Sequence, residues 1–293
     1  MIEEGLDLNS FPRDLDTLSE YMDSIDLSER NLFTIPNLDR FRNLVILKLQ
    51  QNCIKKLPKL PISIEELDCS FNRINDLGDL SYLINLYELD CRHNNLSCIS
   101  NLSNLSNLEL LDCSNNKLNF IPYIPSLLLL YCNNNNLSCI SNLSKLEILD
   151  CSNNKLNFIP YIPSLLQLIC ENNQLNDSYF VSSLLNLIRL KCSKNKFNEF
   201  LYIPNKIRFL ECFDNNLIYK ELKIECINNT NKILNNFKYL FYSIKFKKAF
   251  RKWLYEKVRL PKIEEAFSPI NIMKALELVD INDIDEIDKI IIY

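Results

Sequence analysis

Residues 108–118 read Leu-Glu-Leu-Leu-Asp-Cys-Ser-Asn-Asn-Lys-Leu. The positions that recur elsewhere in the chain reduce this to L-x-x-L-x-C-x-x-N-x-L. Leu111 and Cys113 alternate about Asp112 with a period of two, the mark of a short strand with one buried face. Asn116 falls just beyond that strand, where the chain must turn. A strand this short cannot bury its apolar face alone, so it needs neighbours of the same kind.

Those neighbours are present. The line begins again at Leu44, Ile64, Leu86, Leu127, Leu146, Leu165, Leu187 and Ile207, in steps of 19 to 22 residues. The asparagines keep the same rhythm: Asn52, Asn72, Asn94, Asn116, Asn135, Asn154, Asn173, Asn195 and Asn215. Stacked coils predict a parallel sheet over a continuous apolar core. An Asn amide both donates and accepts, so this ladder is expected to satisfy backbone groups that the turn leaves unpaired inside the coil. Eight of the twelve cysteines (Cys69, Cys91, Cys113, Cys132, Cys151, Cys170, Cys192 and Cys212) occupy position six, the inner strand position. They are read as reduced core packing, since buried structural thiols are inert.

The pattern from Leu44 to Leu217 resembles the leucine-rich-repeat family. The resemblance implies an α/β solenoid, a right-handed superhelix with a concave parallel β-sheet and short convex returns. Two return types alternate. The 22-residue form runs Leu96-x-x-Ile99-x-x-Leu102-x-x-Leu105-x-x-Leu108, a three-residue rhythm that fits a 3₁₀ turn. The 19-residue form carries Pro122 and Pro125, which favour an extended return. Residues 57–67 resemble the Leu-Pro coils of bacterial leucine-rich effectors. Such effectors often carry a separate ubiquitin-ligase domain. The remaining segment here is short and Cys226 has no catalytic context, so that activity is not carried over. Residues 112–128 recur identically as 150–166, which points to duplication of a two-coil unit.

Three regions follow: an N-terminal cap with a degenerate first coil (1–43), the nine-coil array (44–217) and a helical C-terminal cap (218–293). In the degenerate coil Arg30 stands where Asn is expected, and residues 14–22 are read as a short acidic helix. Beyond the array, Ile233, Phe237, Leu240 and Ile244 share one helical face. Phe246, Phe250, Trp253 and Leu254 form a stripe opposite Lys247, Lys248, Arg251 and Lys252. Residues 232–262 hold ten Lys/Arg and one Glu, and an acidic tail follows. A basic amphipathic helix can cap the array, lie on an anionic membrane or meet an acidic partner. This tail resembles segments that follow repeat arrays in proteins of giant DNA viruses (mimivirus-like). Together with the wealth of Asn, Ile and Lys, it points to a viral source.

The 293 residues carry a net charge of −4 and are 47% hydrophobic, enough apolar material for a large core. The start is acidic and lacks a signal-peptide pattern, and no stretch reaches the ~18 apolar residues of a spanning helix. A cytoplasmic setting is therefore expected. C-x-x-C is absent, so no metal site is anticipated. Two glycines cannot build a phosphate loop, and a nucleophilic triad would have to use His93, the one histidine, read as an isolated surface residue. The chain is thus read as non-catalytic and cofactor-free.

Function is expected on the outward strand positions. Position five reads Lys48, Asp68, Asp90, Asp112, Tyr131, Asp150, Ile169, Lys191 and Glu211; position three reads Ile46, Glu66, Glu88, Leu110, Leu129, Ile148, Gln167, Arg189 and Phe209. The early half is acidic. Leu110, Leu129, Tyr131, Ile148 and Ile169 make the centre apolar. Adjacent carboxylates repel, so the acidic column is expected to serve a partner rather than stability. An apolar patch rimmed by charge marks a protein-binding site.

Overall fold

The structure, a computed structural model, describes residues 20–198, 203–216 and 223–224. The chain divides into two compact units, Met1–Asn228 and Asn229–Tyr293. The second lies outside the described residues, and with it the predicted helices, the basic segment at Lys247, Lys248, Arg251 and Lys252, and the acidic tail. The acidic helix expected over 14–22 also falls outside them, apart from Glu20, Tyr21 and Met22, where Glu20 and Tyr21 form a turn rather than the end of a helix.

One strand per coil builds the sheet. In order these are β1 (Ser24–Asp26), β2 (Ile46–Lys48), β3 (Glu66–Asp68), β4 (Glu88–Asp90) and β5 (Leu110–Asp112). They continue as β7 (Leu129–Tyr131), β9 (Ile148–Asp150), β10 (Gln167–Ile169), β11 (Arg189–Lys191) and β12 (Phe209–Glu211). Each strand pairs in parallel with the next, without a register slip. The central residue of each strand points inward, and those from Leu47 to Leu210 are at most 1% exposed. Two residues on, Leu49 and the eight predicted cysteines form a second inner column, at most 2% exposed. Burial pushes all eight thiols well up from their usual range.

The ladder asparagines tie the turns together. Asn154 Oδ1 accepts from the Leu137 N–H of the preceding coil at 2.9 Å. Its Nδ2 donates to the Cys132 carbonyl of that coil at 3.0 Å and to the Cys151 carbonyl of its own at 3.1 Å. The scheme recurs along the array, from Asn52 to Asn215. In each coil the residue before the ladder Asn is left-handed, with φ between 52° and 58°. Asn115, Asn134, Asn153 and Asn172 fill that place in four coils, as their tolerance of this conformation favours.

The returns vary more than the two expected types. Residues Ser100–Asn104 form the 3₁₀ turn, but another 22-residue coil places a short α-helix, Tyr179–Ser183, in the same position. A third closes with successive turns, Leu83 N–H to Leu80 O and Leu86 N–H to Leu83 O, both 3.0 Å. The extended returns pair once, as β6 (Phe120–Ile121) with β8 (Cys139–Ile140).

At the N-terminal end the degenerate coil joins the sheet through β1. Ile25 and Leu27 are 2% exposed, and the Arg30 N–H donates to Asn52 Oδ1. At the other end β13 (Lys223–Ile224) pairs antiparallel to β12. This strand was not anticipated. It covers the hydrogen-bonding edge that a parallel array would otherwise leave open. Among the described residues no helix is long and apolar enough to cross a membrane.

Candidate binding face

Because strand side chains alternate, the first and third residue of each strand lie on the outward face. The register sets Asp68, Asp90 and Asp112 side by side, and Glu66 beside Glu88. It then runs Leu110, Leu129 and Ile148 in one row and Tyr131, Asp150 and Ile169 in the other. The predicted face residues of coils two to seven are therefore contiguous. All are half-buried, which leaves room for contact without making them core.

The acidic column has a structural role that the sequence reading denied it. Asp68 Oδ1 accepts the Ser70 N–H at 2.9 Å, Asp90 the Arg92 N–H at 3.1 Å, and Asp112 and Asp150 the N–H groups of Ser114 and Ser152 at 3.0 Å. Asp26 does the same with Ser28 at 2.9 Å. Each aspartate thus pins the turn that leaves its strand.

Crowding is greatest at Asp90. Burial, with Asp112 and Asp68 on either side, pushes its carboxyl up to about 7, against the opposing pull of the Arg92 N–H and guanidinium. Glu88 is raised for the same reasons, burial first and then Glu66 and Asp68. Arg92 partly relieves the column: Nε lies 3.3 Å from Asp90 Oδ2, and Nη1 lies 3.5 Å from Asp112 Oδ2. Its guanidinium sits 5.6 Å from the Phe71 ring centre. Phe71 in turn stacks on His93 with centroids 4.2 Å apart, so His93 is exposed but not isolated. The Tyr87 hydroxyl donates to Glu66 Oε1. Sequence reasoning missed Phe71, Tyr87 and Arg92, which lie outside positions three and five. The signal available was Arg92, which replaces the Ser found two residues after Asp68, Asp112 and Asp150.

Beyond the apolar centre the face turns mixed. Lys191 pairs with Glu211 at 3.0 Å, and Arg189 and Lys191 lie over Phe209 at 5.2 and 5.5 Å. Burial raises the Glu171 carboxyl. Away from the sheet, a cleft of about 500 Å³ is lined by Asp39, Arg42, Lys59, Leu60, Pro61, Ile62 and Tyr82. Among the described residues, no group of His, Cys, Asp or Glu is arranged to hold a metal.

No protein-family model matches the chain, and neither does any curated protein. Solved structures do. The leucine-rich-repeat domain of APL1B superposes with a TM-score of 0.60 at 20% identity, over 74% of this chain and 71% of that one. YopM, a leucine-rich effector protein from Yersinia pestis, gives 0.56 at 26% identity over 66% and 61%. A leucine-rich-repeat protein of Leptospira interrogans gives 0.56 at 21% identity over 65% and 60%. The fold is a leucine-rich-repeat solenoid. The chain spans less than two thirds of the length of the last two proteins. On this leucine-rich-repeat array the inner columns and the Asn ladder are taken up by stacking, and the outward sheet residues are those left outside that packing.

Proposed function

We propose that the chain is a non-catalytic interaction scaffold that binds a protein partner along the outward, concave side of its sheet. The observation that carries this reading is the unbroken register that joins Asp68, Asp90 and Asp112 to Leu110, Leu129, Tyr131, Ile148 and Ile169 on one face. Asp150 extends the charge into the apolar half. A basic, partly apolar segment docked over coils two to six answers both halves: its cations neutralise crowded carboxylates, and its side chains cover half-buried leucines. Nucleic acid fits poorly, since this acidic stretch repels phosphate. A cytoplasmic setting accords with eleven free cysteines among the described residues.

The test is selection of peptides from a random display library on the full chain. Selected sequences should be rich in Lys, Arg and large apolar residues. Their binding should fall at least tenfold in Asp68/Asp90/Asp112→Asn, which keeps each turn acceptor and removes the charge, and again in Leu129→Glu. Peptides that bind both folded variants as well as wild type would overturn the reading.

A further inference from the structure

The acidic half of the face and the basic segment of the sequence are complementary within one chain. Coils two to four present Glu66, Asp68, Glu88, Asp90 and Asp112, with Arg92 as the cation set among them. Residues 245–252 carry Lys245, Lys247, Lys248, Arg251 and Lys252 without an acid. Read from the sequence alone, helical spacing would set these cations opposite Phe246, Phe250 and Trp253.

We infer that the acidic face of one copy receives the basic 245–252 segment of a second copy, giving head-to-tail self-association. This deepens the partner reading above and rests on it. The dimensions agree. Eight residues at the helical spacing expected from the sequence would span ~12 Å, and the strands from β3 to β5 span two gaps, ~10 Å. Arg92 supplies an internal example, a guanidinium bridging the carboxylates of two adjacent coils. A face and a segment that differ make a heterologous contact, which leaves one free face and one free segment at every stage. Growth should therefore continue with concentration rather than stop at a dimer. It should weaken with salt, since the contact is between charges.

Sedimentation velocity on the full chain tests this. The weight-average mass of wild type should rise between 1 and 200 μM at 50 mM salt and fall back at 500 mM. Asp68/Asp90/Asp112→Lys should be monomeric, and so should Lys247/Lys248/Arg251/Lys252→Glu. Mixed in equal amounts, these two variants should associate again, because each then offers what the other lacks. Circular dichroism establishes that both are folded, and Asp68/Asp90/Asp112→Asn provides the loss of association where the Lys variant does not fold. A wild type that stays monomeric throughout, or folded variants that do not restore association on mixing, overturns self-association. Peptide selection on the face is a separate measurement, so its success would leave the partner reading standing when self-association fails.

Discussion

Replacement of Asn154 by Ala probes what holds one coil on the next. Asn154 is 9% exposed, and its amide makes one accepted and at least two donated hydrogen bonds across two coils. Ala removes all of them and puts nothing in their place. The Leu137 N–H loses its acceptor outright, and the Cys132 and Cys151 carbonyls each lose a donor. A buried polar group left unsatisfied costs about 1–3 kcal/mol. With the N–H counted in full and the carbonyls in part, the expected loss is about 3 kcal/mol. For an array of this size that is a fall in Tm of about 6–12 °C. Urea unfolding followed by circular dichroism measures it. Asn157→Ala, at an exposed return position, should stay within about 0.5 kcal/mol. Asn215→Ala should cost less than Asn154→Ala, because Asn215 is only partly buried and water can replace the amide. Asn154→Asp should be worse than Ala at pH 8, where a carboxylate faces two carbonyls, and should recover as the pH falls. A loss below about 1 kcal/mol for Asn154→Ala, or an equal loss at Asn215, would refute the idea that the ladder satisfies the turns.

Three further outcomes follow from the same geometry. Asp90 has a folded pKa raised to about 7 from an ordinary value of 3.8, so its contribution favours the fold at low pH and is lost as the pH rises through 7. Asp90→Asn keeps the acceptor for Arg92 and should stabilise at pH 8 while changing little at pH 4, as read by urea titrations at both values; a stabilisation independent of pH contradicts the assignment. Lys194 has a φ of 55° at the position where Asn153 and Asn172 sit, with their side chains hydrogen-bonded at 2.7 Å. Lys194→Asn should therefore stabilise by about 0.5–1 kcal/mol, and a loss in thermal melts would count against this. Alkylation of the native protein at pH 8, mapped by mass spectrometry, should label Cys98 first, since a hydrogen bond to Ser100 lowers its thiol. Cys53 and Cys139 should follow, and the eight column cysteines should react only after unfolding; early labelling of Cys132 or Cys151 would contradict their burial.

The inner architecture was legible because it depends on residue type at fixed spacing. Leu111, Cys113 and Asn116 must be apolar, apolar and amide in every coil, and nine repetitions make that visible without coordinates. The register of the face followed from the same period. The returns were less legible. Leu96 to Leu108 and Leu175 to Leu187 both allow turns of three residues, and a 3₁₀ turn and a short α-helix differ by a backbone choice that this rhythm does not encode. Strand β13 was missed because two residues carry no period. Arg92 was missed because its partners, Asp90 and Asp112, lie on two different strands.

The Asp column requires two explanations. A short carboxylate accepts the N–H two residues on, which accounts for the recurring Asp-x-Ser of residues 26–28, 68–70, 112–114 and 150–152. That role is local. It is complete in one coil and gives no reason for acids on adjacent coils. Lys48, Tyr131, Ile169 and Lys191 hold the same position without a carboxylate, so the cap is dispensable to the coil. Turn capping therefore accounts for Asp68, Asp90 and Asp112 one by one but does not require all three in succession, where burial, with Asp112 and Asp68 on either side, raises the Asp90 carboxyl. Nor does it account for Glu66 and Glu88, which stand at position three, two residues before the cap. At position three the acids beyond the caps are Glu66 and Glu88, in coils two and three, where Arg92 breaks the Asp-x-Ser pattern to bridge two of the carboxylates. Five acids in three coils against the one guanidinium of Arg92 is the excess on which the proposed basic partner rests.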